Sequence, residues 1–311
     1  MKQTLTRLAL TLPVVWLVVS LVFLLIHLVP VDPIQMMLGE GATPMDVTAL
    51  RHAYWYDRPV HVQYIHYWVG VFHGDLGQSI RMKDSVGHLI AQRYPYTMAL
   101  TLCSLVLALL LALPAGVWAA VRRGKVADQV LSVVSLFGLS VPGIALGPVL
   151  MLFFSIKLGW LPVSGANAGG TATIDWRYLV LPTIAMGTSM AAILTRMVRT
   201  AMLEELGQDY VRTARAKGLS ETAVVWRHAL PNALVPIVTV VGLQFGALLA
   251  GAIVTETIFS WPGLGRLSVS AISNRDYALV QGCLLSIGLT YVLVNFVTDL
   301  VYNVVNPRMR G

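Results

Sequence analysis

Residues 97–121 read TMALTLCSLVLALLLALPAGVWAAV, a run without a single charged side chain. A helix needs about 20 apolar residues to cross a hydrocarbon core of about 30 Å. Further apolar runs of similar length lie at 8–28, 131–156, 179–202, 233–254 and 280–301. The run at 8–28 is longer than the apolar core of a signal peptide and lacks an Ala-x-Ala-like cleavage site, so we expect a retained anchor. The sequence therefore predicts an all-α, polytopic membrane protein with six transmembrane helices.

The composition agrees with a membrane protein and disfavours a disulfide framework. Of 311 residues, 56% are hydrophobic and 12% are charged, whereas soluble domains usually carry about 25% charged residues. Cys103 and Cys283 both fall inside apolar runs, where cysteine behaves as a small apolar residue. We expect residues 1–311 to form a single transmembrane domain.

Lysine and arginine are unequally distributed between the two sides of the predicted spans. One side holds the residues before the first span, those in the second connection, those from the end of the fourth span to the fifth, and those at the chain end: Lys2, Arg7, Arg122, Arg123, Lys125, Arg196, Arg199, Arg212, Arg215, Lys217, Arg227, Arg308 and Arg310. Cytoplasmic loops carry such an excess of basic residues. Both termini are therefore expected in the cytoplasm, and the net charge of +7 requires no nucleic-acid partner.

Two segments outside the predicted spans are long enough to carry structure of their own. Residues 31–95 lie on the outer side, mix charged with aromatic residues, and are expected to form a helical cap. Residues 203–231 lie in the cytoplasm. Their pattern predicts an amphipathic helix over 204–217, a left-handed turn at Gly218, and a short second helix that Ser220 caps and that ends near Pro231.

The cytoplasmic segment also carries a recognisable motif. Residues 209–219, DYVRTARAKGL, and 228–233, HALPNA, resemble the signature of ABC importer permeases: Glu-Ala-Ala, three residues, glycine, nine residues, Ile-x-Leu-Pro. Ala214, Gly218, Leu230 and Pro231 match in register. Arg212, Thr213 and His228 depart from the general form, in the manner of the dipeptide/oligopeptide/nickel branch.

Three more blocks resemble the same branch, in the expected order. They are HGDLG at 73–77 with Ser79, ETIFSWPGLG at 256–265, and VNPR at 305–308. The resemblance thus extends over the whole chain.

This resemblance implies roles for the residues in these blocks. In such importers the cytoplasmic hairpin is the coupling helix, which docks on an ATPase. The implied coupling residues are Ala214, Ala216, Lys217, Gly218, Leu219, Ala223 and Trp226. The implied outer-loop residues, on the side of the solute-binding protein, are Glu256, Ser260, Trp261, Pro262 and Gly263.

Glycines and histidines are the remaining candidate functional residues. The spacing Gly242-x-x-x-Gly246 favours close helix packing, either within the chain or at a partner permease. His61, His66 and His73 share the outer segment, and imidazole suits nickel. Because His66 and His73 are flanked by aromatic residues and a loop motif, we expect no metal site.

The sequence lacks the motifs of an enzyme. It contains no Gly-x-x-x-x-Gly-Lys-Ser/Thr loop, no His-Glu-x-x-His and no Gly-x-Ser-x-Gly. We therefore expect no catalytic residue and no cofactor on this chain, with ATP and magnesium bound by partner subunits. A secondary transporter, the alternative from another class, would need ionisable groups near mid-membrane and an internal repeat.

The resemblance implies a permease subunit in a bacterial or archaeal cytoplasmic membrane. Its implied partners are a second homologous permease, one or two cytoplasmic ABC ATPases, and a periplasmic or lipid-anchored solute-binding protein. Short peptides are the expected cargo. Nickel chelates, glutathione and oligosaccharides remain alternatives.

Overall fold

The computed structural model describes residues 2–28, 33–38, 43–140, 143–167 and 173–305. The α-helices within these residues are α1 (Lys2–His27), α2 (Pro33–Leu38), α3 (Pro44–Ala53), α4 (Val60–His73), α5 (Val86–Val121), α6 (Val126–Ser140), α7 (Gly143–Leu150), α8 (Trp176–Leu206), α9 (Asp209–Ala216), α10 (Glu221–Ala223), α11 (Leu230–Ile258), α12 (Leu264–Ser273) and α13 (Tyr277–Val305). Two π-helical segments, Met151–Lys157 and Val224–Ala229, follow α7 and α10.

The described residues contain five helices that are long and apolar enough to cross a membrane. They are Ala9–His27, Val86–Val121, Trp176–Leu206, Glu221–Ile258 and Tyr277–Tyr302. A bent pair, Val126–Gly138 with Gly143–Lys157, raises the number to six when it is treated as one span. The all-α, polytopic fold is confirmed.

The span predicted at 131–156 differs most from the structure. Instead of one continuous helix, two helices meet there with a bend of 92°. Residues 141–142 between them lie outside the described residues. Pro142 is one of the two, and a proline lacks the amide hydrogen that a continuous helix would use.

The chain divides into two compact units. One unit contains residues up to Thr97 together with Pro262–Val292. In this unit Val19 and Val22 of α1 pack with Leu285 of α13 and with Tyr67 and Trp68 of α4. The outer segment has the expected helices, α2 to α4, and also a two-stranded antiparallel hairpin of β1 (Gln78–Ser79) and β2 (Asp84–Ser85), which the sequence did not predict.

The second unit contains residues 98–261 and the part of α13 from Leu293 onward. Its core joins α5, α8 and α11 to residues 203–231. Six of its buried members are Val117, Val198, Met202, Val211, Val224 and Ile237. The segment 203–231 is therefore packed on the long helices of its own unit.

Candidate functional site

The turn at Gly218 has the geometry that its sequence predicts. Gly218 is left-handed, with φ of +80°. Its N–H donates to the carbonyl oxygen of Arg215 at 2.9 Å, and the N–H of Leu219 donates to that of Ala214 at 3.4 Å. These paired hydrogen bonds form a Schellman motif, which satisfies carbonyl groups at the end of α9. A Cβ at Gly218 would meet no atom within 4 Å, so glycine is favoured here by backbone conformation and not by lack of space.

Side chains on both sides of Gly218 stabilise the turn. The Nε and Nη2 atoms of Arg215 donate to Oε1 and Oε2 of Glu221 at 2.7 and 3.2 Å. The hydrogen bond to Glu221 raises the pKa of Arg215, which stays charged. Ser220 caps the second helix as predicted, because its Oγ accepts a hydrogen bond from the Ala223 N–H at 3.4 Å.

The helix bounds of this hairpin require two corrections. The first helix begins at Asp209 and not at residue 204, because Glu204, Glu205 and Leu206 complete α8. The second helix does not end near Pro231. It passes through the π-helix Val224–Ala229 and continues directly into α11.

The π-helix explains how the chain passes Pro231 without a break. The N–H of Leu230 donates to the carbonyl oxygen of Val225, five residues earlier. Pro231 then lies within the first two residues of α11, where the missing N–H of proline is best tolerated. Residues Glu221–Ile258 consequently form one continuous helix that is long enough to span a membrane.

The predicted coupling residues divide into a buried and an accessible set. Ala214 belongs to the core with Val211, Val224 and Val225, so it fixes the hairpin to its unit. The accessible set contains Ala216, Lys217, Gly218, Leu219 and Trp226, which are exposed, and Ala223, which is half-buried. Leu219 exposes 41% and Trp226 50% of their surface, so two large apolar side chains are accessible on this hairpin.

The outer-loop residues are less accessible than the resemblance implied. Glu256 lies inside α11, and both Glu256 and Trp261 are fully buried. Gly263 is buried, and Ser260 and Pro262 are half-buried. The Trp261 N–H donates to the Glu256 carbonyl oxygen at 2.8 Å, and Ser260 takes a left-handed φ of 49°. The loop is therefore a tight turn. Ser260 is the first partly accessible side chain after the end of α11.

Gly242 makes a close helix contact within this chain. A Cβ built at Gly242 would overlap the side chain of Thr298 in α13. Gly246, one turn later, is half-buried.

The outer histidines have separate local partners. The His66 ring stacks on Trp55 at 4.4 Å between centroids, and His73 Nδ1 lies 2.8 Å from the Val69 carbonyl oxygen. His61 is exposed. Among the described residues, no group of three His, Cys, Asp or Glu side chains is arranged to hold a metal ion.

One ion pair in the second unit was missed by the sequence analysis. Asp128 accepts hydrogen bonds from Arg199 Nε at 2.6 Å and Nη2 at 2.8 Å, and from the Gly124 N–H at 3.0 Å. This ion pair connects the basic turn that precedes α6 with helix α8. The partners are 71 residues apart, and no spacing in the sequence relates them.

Comparison with known proteins identifies the family. Residues 112–311 match the binding-protein-dependent transport system inner membrane component family, and residues 1–101 match the corresponding N-terminal family. The glutathione transport system permease protein GsiC of Salmonella choleraesuis strain SC-B67 is 41% identical over 310 residues, covering 100% of this chain and 99% of its own. The di/tripeptide transport system permease protein DppB of Pseudomonas aeruginosa strain UCBPP-PA14 is 43% identical over 327 residues, covering 98% of this chain and 97% of its own.

A solved structure supports the fold independently. An inward-facing structure of the MetNI methionine ABC transporter superposes with a TM-score of 0.59 at 21% identity, over 70% of this chain and 96% of that one. The chain belongs to the family of inner-membrane permease components of binding-protein-dependent ABC importers, within its peptide/oligopeptide group.

Proposed function

We propose that this permease carries short peptides into the cytoplasm and receives the energy of ATP hydrolysis through the hairpin around Gly218. The observation that carries this proposal is the hairpin itself. Its turn is fixed by the Schellman motif and the Arg215–Glu221 pair, it exposes Leu219 and Trp226, and it continues into a membrane rod.

A preformed element of this kind suits docking in a groove of another protein. Its residues are already ordered, so binding costs less conformational entropy than ordering a flexible loop would. Its exposed apolar side chains can enter a partner groove, as amphipathic helices do. The partner is an ABC ATPase with ATP and magnesium, because the chain itself lacks a phosphate-binding loop.

The remaining partners follow from the family. A second, homologous permease completes the translocation path, and a solute-binding protein delivers the cargo on the outer side. Both termini lie in the cytoplasm, on the side of the hairpin, as the excess of lysine and arginine there favours.

The cargo is proposed from the names of the relatives. DppB belongs to a di/tripeptide system and GsiC to a glutathione system. Glutathione is itself built from three amino acids, so both names agree with a short-peptide cargo, and glutathione is the second candidate.

The test compares the lone chain with the full assembly in proteoliposomes. The purified chain alone is expected neither to bind nor to hydrolyse ATP. Assembled with its ATPases and sister permease, it should support hydrolysis that rises with loaded binding protein and should take up labelled dipeptide or glutathione. ATP hydrolysis by the lone chain, or an assembly that transports neither cargo, would overturn the proposal.

A further inference from the structure

A cavity of about 280 Å³ lies in the second unit, beside α8 and α11. Methionines and small residues make up much of its wall, with Met186 and Met190 contributed by α8. Three polar side chains also line it: Ser189, Gln244 and Thr255. None of its described lining residues is charged.

Ser189 and Gln244 are far from the ends of their helices. Gln244 is 14 residues from Ile258, the nearer end of the continuous helix Glu221–Ile258. At 1.5 Å per residue this is about 21 Å. Ser189 follows the start of α8 at Trp176 by 13 residues. Both positions fall near the middle of the predicted spans, 179–202 for Ser189 and 233–254 for Gln244, so we expect both side chains at a depth where the lipid holds no bulk water.

These two side chains have no hydrogen-bond partner among the residues that the structure describes. Thr255 differs, because its hydroxyl donates to the Gly251 carbonyl oxygen at 3.1 Å. An amide side chain that contacts only hydrocarbon is strongly unfavourable, since both its N–H₂ and its C=O lose the hydrogen bonds they make in water. We therefore expect the partner of Gln244 to lie outside the described residues and to reach the amide through the cavity.

We propose that Gln244 and Ser189 form a mid-membrane polar pair that hydrogen-bonds the backbone of short peptides as they cross. The proposal rests on the peptide-import function argued above. The amide of Gln244 both donates and accepts, so it matches a peptide bond whatever side chains the cargo carries. Met186 and Met190 are flexible and can adapt to those side chains. The uncharged wall does not hold a terminal ammonium or carboxylate, which favours release.

The first test uses variants of the pair in the fully assembled importer. Gln244→Leu keeps the approximate size of the side chain and removes the amide. Uptake of dipeptide below saturation should fall about tenfold, the effect of losing about 1.4 kcal/mol, while ATP hydrolysis stimulated by loaded binding protein is retained. Ser189→Ala should have a smaller effect in the same direction, and Gln244→Asn should retain part of the uptake. Leu243→Ala is the matched control, because Leu243 is 59% exposed and lies outside the cavity wall.

The second test does not depend on the cargo. In a background where Cys103 and Cys283 are replaced by alanine, Gln244→Cys and Ser189→Cys should react with a charged, membrane-impermeant thiol reagent, and Leu243→Cys should not. Added dipeptide should slow the reaction at both positions.

The two tests separate failure of this inference from failure of the proposed function. Wild-type uptake by Gln244→Leu together with an unreactive Gln244→Cys would overturn the polar pair. A disulfide between Gln244→Cys and a cysteine of the sister permease would overturn it as well, because the amide would then face a protein interface. If Gln244→Leu lowers membrane abundance, Gln244→Asn and the thiol reactions still decide the matter. If the wild-type assembly takes up no peptide while both cysteines react, the path is supported and the peptide cargo is refuted.

Discussion

Arg215 and Glu221 form a bidentate ion pair that bridges the left-handed turn at Gly218. Both side chains are partly exposed, at 41% and 64%, and exposed pairs contribute up to about 1 kcal/mol. The pair therefore adds modestly to a turn that is mainly determined by the backbone conformation of Gly218.

Gly218→Val should abolish transport and leave the chain in the membrane. A branched residue in the left-handed region costs about 1–2 kcal/mol, and Gly218 lies outside the span-length helices. The measurements are membrane abundance, co-purification of the ATPase and cargo uptake. Gly124→Val is the matched control, because Gly124 has φ of +76° and equally open surroundings but lies in the turn before α6. Equal loss of uptake in both variants would refute a specific coupling role for Gly218.

Leu219→Asp should weaken ATPase binding without affecting insertion. Leu219 is exposed in this chain, so a charge there costs little until a partner covers it. At a well-packed interface such a change exceeds about 2 kcal/mol, or about thirtyfold in affinity. Ala223→Asp should act in the same direction. The Lys217→Ala variant, changed at an exposed neighbouring position, should bind the ATPase almost normally. Pull-down of the ATPase from detergent extracts measures binding for all three variants. Unchanged binding of both aspartate variants would place the docking surface elsewhere.

Gly242→Ala should lower the thermal stability of the purified chain. The new methyl group overlaps Thr298, and overpacking costs about 1–3 kcal/mol. Gly251→Ala is the control in the same helix, since a Cβ there meets nothing within 4 Å. The unfolding midpoint in detergent should fall for Gly242→Ala and not for Gly251→Ala. Thr298→Ala should restore it only in part in the double variant, because the Cβ of residue 298 would remain 2.8 Å from the new methyl group. A midpoint unchanged by Gly242→Ala would show that the two helices separate easily.

A photo-crosslinker at Ser260 should capture the solute-binding protein in the assembled importer. Ser260 is half-buried at the end of a tight turn, so the probe is held near one position. Placing the probe at Lys83, in the turn between β1 and β2, tests whether capture is specific to this loop. Products confined to the chain itself would assign the loop to internal packing.

Reporter fusions test the proposed orientation. Fusions after Arg123 and after Met309 should report cytoplasm, and fusions near Lys83 and near Ala168 should report the outer side. Residues 168 and 309 lie outside the described residues, so these two sites test the sequence argument alone. A cytoplasmic signal at Lys83 would refute the six-span arrangement.

The sequence predicted those features that local chemistry determines. The apolar runs identify the spans, and Gly218 and Ser220 identify the turn, because a left-handed residue and a helix cap each depend on one side chain. The family motif then identified the hairpin as a candidate coupling element.

Features that depend on distant or shifted contacts could not be predicted in this way. The π-helix before Pro231 arises from a one-residue shift in backbone hydrogen bonding, which no side-chain pattern encodes. The contact of Gly242 with Thr298 joins two helices that are remote in sequence. Gln244 and Ser189 were visible as polar residues inside apolar runs, but only the structure places them on one cavity.

The uninterrupted rod Glu221–Ile258 has a mechanical consequence. It contains 38 residues, or about 57 Å of helix. If such a lever pivots at one end by about 5°, the other end swings by about 5 Å, the length of about one helical turn. A small rotation about the hairpin end is thus amplified along one continuous helix, which includes the π-helical segment Val224–Ala229.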